Sequence, residues 1–69
     1  MEELSQEYLL SYLFKKAIDR EELLIKKYEY YLDMTRNKEL KAMLKEFKKL
    51  TEEHVTLMKD KMIKLKIIG

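Results

Sequence analysis

From Leu10 onward, a series of positions recurs at alternating spacings of four and three: Leu10, Phe14, Ala17, Glu21, Leu24, Tyr28, Tyr31 and Thr35. Ile18, Ile25 and Leu32 widen this series into a mostly apolar stripe. That period belongs to one face of an α-helix. The stretch Asp33-Met34-Thr35-Arg36-Asn37-Lys38 interrupts it with turn- and cap-forming residues, and Asn37 is placed to cap the next helix. A second series runs Leu40, Leu44, Phe47, Thr51, His54, Met58, Lys61, Leu65 and Ile68, flanked by Met43, Leu50, Leu57 and Met62. The pattern predicts a helix over about 3–34, a turn at about 35–37 and a helix over about 38–67. Each helix is about 45 Å long at 1.5 Å per residue. Two such helices on a short link fold back as an antiparallel hairpin. One hairpin cannot enclose a core, because each stripe stays open on one side. Two hairpins related by a two-fold axis would close a four-helix bundle.

Composition narrows the choice to this class. Sixty-nine residues make one domain, 1–69, and a chain so short is marginal alone. The sequence has no Cys, which excludes disulfides, thiolate metal sites and Cys nucleophiles. It has no Pro and a single Gly, the last residue, which leaves little material for a turn-rich β fold or a phosphate-cradling loop. Charge divides between the helices: residues 1–35 carry 5 basic and 8 acidic side chains, and residues 36–69 carry 10 and 5. Opposite signs favour side-by-side packing, at no more than about 1 kcal/mol per exposed pair. Met1-Glu2-Glu3 is acidic where a secretory leader is basic, and no long uncharged apolar run comes after it, so the expectation is a cytoplasmic chain with no membrane partner.

Two polar residues occupy positions where the pattern demands apolar ones. On a helical wheel, Leu10, Phe14, Ala17, Ile25, Tyr28 and Leu32 fall within about 40° of Glu21. Met43, Phe47, Leu50, Met58 and Leu65 fall within about 40° of His54. Glu52 points away, while Glu22 and Glu53 sit at the polar boundary. With the turn centred near residues 36 and 37, position i faces about position 73 − i, which levels Glu21 with Thr51 to His54. A buried carboxylate must pair, take a proton or bind a cation. In a two-fold dimer, two Glu21 and two His54 would approach one axis, a donor set that suits Fe, Mn or Zn.

These residues resemble the ferritin-like superfamily, in its rubrerythrin branch. Glu21 is followed by Tyr28, Tyr30 and Tyr31, seven, nine and ten residues on, as a ligand Glu is followed by aromatics in that branch. Thr51-Glu52-Glu53-His54 stands where the branch carries Glu-x-x-His. The likeness spans about Ala17 to Lys64, one hairpin or half of the usual bundle, and it extends to the spore coat F proteins, which share the hairpin. The resemblance implies an all-α, ferritin-like four-helix bundle built by homodimerisation. It also implies a site for iron or another divalent metal, with Glu21 and His54 as ligands and Glu53 or Glu22 as outer partners. The bridging carboxylate of the motif falls on Thr51, so each hairpin keeps two of three ligands and a dimer offers two Glu and two His.

Two readings of the pair therefore stand open. It is a degenerate site kept as a buried polar contact in a structural or interaction protein, or it is a metal site completed across a dimer. Ferroxidase or peroxidase chemistry is the weaker enzymatic reading, because Thr51 replaces the bridging carboxylate. Hydrolase and kinase chemistry have no candidate residues. The five Met residues are gap-fillers in the interior. Lys41, Lys45, Lys48, Lys59 and Lys66 form a stripe interleaved with acids, which reads as a solvated face and not as a nucleic-acid surface. Tyr8, Leu9, Tyr12, Leu23 and Tyr30, with Ile63 and Ile67, lie off the stripes and suggest a second contact, in a higher oligomer or with a partner.

Overall fold

The computed structural model describes residues 6–65, excluding the side chain of Glu7. It is all-helical: α1 spans Gln6–Met34 and α2 spans Lys38–Lys64. The two helices pack as a hairpin. Their outer ends as expected from the sequence, together with Lys66, Ile67 and Ile68, lie outside the described residues. Leu65 is the C-cap of α2, its N–H donating to Lys61 O at 2.9 Å.

The turn is held by local hydrogen bonds. Thr35 N–H closes the last turn of α1 on Tyr31 O at 2.9 Å. Asn37 sits at φ −80°, ψ 120°, and its side-chain oxygen accepts from Leu40 N–H at 2.9 Å. That satisfies one of the orphan donors at the start of α2, which explains why the second helix begins at Lys38. Glu39 in the first turn and Lys61 and Lys64 in the last complement the helix dipole.

The hairpin measures 55 × 23 × 12 Å. The shortest dimension is about one helix diameter, so the molecule is a single layer with two broad faces. Its interior is a narrow seam. Ile18, Val55 and Met58 form the buried core, with Phe14, Ile25 and Met62 packed against it, and Ser11 and Thr51 are buried alongside. Among the described residues, none has a side chain that is fully buried. No described helix is long and apolar enough to cross a membrane.

This seam differs from the expected one in two respects. It does not run through the stripe centres at Glu21 and His54. It lies toward one edge, through Ser11 and Val55, which the 3–4 series omits. The register is also shifted. Glu21 meets His54 and Tyr28 meets Phe47, each two residues further along α2 than 73 − i places it. The apolar arc on each helix is wider than one helical neighbour can cover, and the pair settles on one side of it.

The remainder of the arc is therefore uncovered. Leu10, Leu13 and Tyr31 of α1 and Leu40, Met43, Phe47, Leu50 and Leu57 of α2 are all more than 40% exposed. Helical geometry places these on one side of the seam, the open face. Glu22 and Glu29 lie across the seam on the other side, where Lys59 and Lys48 meet them at 3.2 Å each. That side is a polar face.

Candidate functional site

Glu21 lies midway along α1, one residue before the seam-crossing Glu22 and three after the buried Ile18. His54 is adjacent to the buried Val55 on α2. Packing of Ile18 against Val55 and Met58 thus fixes the backbone on both sides of the pair. Their side chains meet across the seam on the open face, with His54 Nδ1 2.8 Å from Glu21 Oε1. A carboxylate only accepts, so the imidazole Nδ1–H is the donor. Glu21 is 23% exposed at its side chain and His54 54%. The expected juxtaposition of the two residues is present within one chain. The expected burial of His54 is not, because α1 covers only the Val55 side of its turn. In this setting the contact is a partly solvated polar pair, worth at most about 1 kcal/mol.

The neighbouring residues divide clearly. Thr51 is buried beside the pair, and its hydroxyl donates to Phe47 O of its own helix at 2.9 Å. That internal bond satisfies the hydroxyl without a ligand. Glu22 is turned to the polar face and engaged by Lys59. Glu53 is exposed and has no ion-pair or hydrogen-bond partner among the described residues. Neither Glu22 nor Glu53 supports the pair as an outer partner within the hairpin. Tyr28 does not bond Glu21; its ring lies 6.2 Å from that of Phe47, a tilted aromatic contact directly above the pair on the open face.

The geometry bears on metal chemistry. Nδ1–H donated to a carboxylate is the arrangement that orients a histidine and leaves Nε2 as its ligating atom. Glu21 in this position holds the imidazole through Oε1. Among the described residues, no three His, Cys, Asp or Glu side chains group as metal ligands would. The donor set of one chain therefore does not fit a metal centre; a second copy would have to supply the rest.

The outer face of α1 is also apolar in part. Tyr8, Leu9, Tyr12, Leu23 and Tyr30 are 46–60% exposed. The Lys16 ammonium lies 5.7 Å from the Tyr12 ring centre, and Tyr30 packs edge-on to Tyr31 at 5.7 Å. Sequence reasoning missed Val55 and Ser11. A count of seam positions one residue beyond His54 and seven before Ile18 would have found them.

No known family model, curated protein or solved structure matches this chain.

Proposed function

We propose that this chain is a homo-oligomeric helical hairpin with a structural or interaction role, half of a four-helix bundle that assembles through its open face. The open face carries the reading. A helical layer with three buried core residues and a row of exposed Leu, Met, Phe and Tyr on one side has more apolar surface than a stable monomer leaves wet. On this reading Glu21 and His54 are a polar pair that becomes buried on assembly and fixes register. The metal site of the family they resemble is degenerate here, and the chain has no enzymatic role.

Unfolding experiments test the role of the pair. Glu21→Ala or His54→Ala alone should cost about 1–3 kcal/mol, since each leaves a polar group unpartnered in the assembled interior. Glu21→Leu with His54→Leu together should be neutral or stabilising. A double variant as unstable as the sum of its singles would contradict a purely structural pair.

The second reading is binding of iron or another divalent metal, and the carboxylate-backed imidazole supports it. A dimer would bring two such imidazoles and two carboxylates toward one axis. In that case Fe(II), Mn(II) or Zn(II) should raise the melting temperature, and His54→Ala should abolish the rise. The structural reading expects no shift with any of the three.

A further inference from the structure

The margins of the open face carry an ordered set of charges that the hairpin itself leaves unmatched. Arg20 and Lys27 immediately precede Glu21 and Tyr28, the two α1 residues that bridge to α2 on this face. Glu46 and Glu53 immediately precede their partners Phe47 and His54. One step forward along either helix crosses the seam; one step back turns about 100° outward, past the apolar arc. The α1 margin is therefore basic and the α2 margin acidic. Arg20, Lys27, Glu46 and Glu53 are exposed and have no ion pair among the described residues. The equivalent charges one step forward, Glu22, Glu29 and Lys48, are all paired within the chain.

Resting on the proposed assembly, we infer that the partner on the open face is a second copy of this chain in one specific orientation. The two-fold axis runs along the helices, so that α1 of each copy packs on α2 of the other and both turns lie at the same end. Arg20 then meets Glu53 of the partner subunit, and Lys27 meets Glu46 of the partner subunit, with the same contacts repeated by symmetry. The register supports these levels, because Glu21 is level with His54 and Tyr28 with Phe47 within one hairpin, and a pure two-fold along the helices preserves height. Lys16 falls in the same way at the height of Asp60, which Lys64 of its own helix also reaches at 3.1 Å. The other closed arrangement, with the axis across the helices, stacks α1 on α1 and α2 on α2. It would set basic margin against basic margin and acidic against acidic. Apolar area alone does not choose between the two bundles; like-charge juxtaposition does.

Reversing the margins tests the orientation separately from the assembly. Arg20→Glu with Lys27→Glu makes every margin acidic, and Glu46→Lys with Glu53→Lys makes every margin basic. Each double variant should weaken the dimer at least about tenfold by sedimentation equilibrium at low salt, since four contacts turn from attractive to repulsive. The quadruple variant carrying all four changes should return to within about threefold of the wild-type constant, and an equimolar mixture of the two double variants should form the heterodimer. A nitroxide on Arg36→Cys, the sole cysteine of that variant, reads the geometry directly. The two turns should lie within about 25 Å of each other, whereas the crossed arrangement separates them by nearly the 55 Å length of the hairpin. Double variants that dimerise as tightly as wild type, a quadruple variant as weak as the doubles, or a long distance between the turns would overturn the orientation while leaving the dimer. A folded wild-type monomer at all concentrations would overturn both.

Discussion

The two broad faces of the hairpin are built by the same helices around the same seam, yet they are in different states of completion. On the polar face, Glu22 meets Lys59 and Glu29 meets Lys48, which also stands 4.0 Å from Glu52. The four charges that flank the seam there are matched across it. On the open face the centre is apolar, the single cross-helix polar contact among the described residues is Glu21 with His54, and Phe47 and Leu50 remain 42% and 55% exposed. The difference teaches how a short chain divides its work. Ion pairs at a solvated margin finish a surface at small energetic gain. Apolar side chains at such density do not finish one; on the proposed assembly they form half of an interior. On that proposal the monomer is a folded layer whose stability depends on what covers one side.

Substitutions on the two faces should separate sharply. The largest effect is expected from Phe47→Asp. Phe47 touches the Tyr28 ring on the open face, and a carboxylate there would be desolvated in the assembled bundle. The expected loss is about 3 kcal/mol or more, or about 15 °C in Tm for a chain of this size. It should appear as loss of the oligomer together with helicity in circular dichroism. A folded, helical monomer would show instead that the seam of Ile18, Val55 and Met58 suffices by itself. The smallest effect is expected on the polar face. Glu22→Gln with Glu29→Gln removes both cross-helix ion pairs, yet all four side chains are partly solvated, and the combined cost should stay below about 1 kcal/mol. A loss as large as that of Phe47→Asp would dissolve the distinction between the faces.

Much of this arrangement is legible in the sequence, for identifiable reasons. The 3–4 spacing of long apolar side chains and the absence of Pro leave two helices as the economical reading, and Asn37 supplies the oxygen that α2 needs at its start. Glu21 and His54 are conspicuous because each interrupts an apolar stripe, and they do meet. The place of the seam within the stripe is not legible. A wide apolar arc looks the same whether one neighbour or two will cover it, so periodicity alone points to the stripe centre as the intrachain contact. In the folded chain that contact falls on the edge marked by Ser11, Ile18 and Val55, and the α2 centre at Phe47, Leu50 and His54 stays exposed. The two-residue shift in register has the same origin, because the facing turn of α2 is then the one that carries Val55 and Met58.

Whether the open face is an interior awaiting its other half is tested most directly by the mass of the native chain in solution. Sedimentation equilibrium of the unmodified protein over a range of micromolar concentrations should give twice the 8.5 kDa of one chain, or a higher even multiple, with cooperative unfolding whose midpoint rises with concentration. A compact 8.5 kDa species that unfolds cooperatively at a concentration-independent temperature would contradict it.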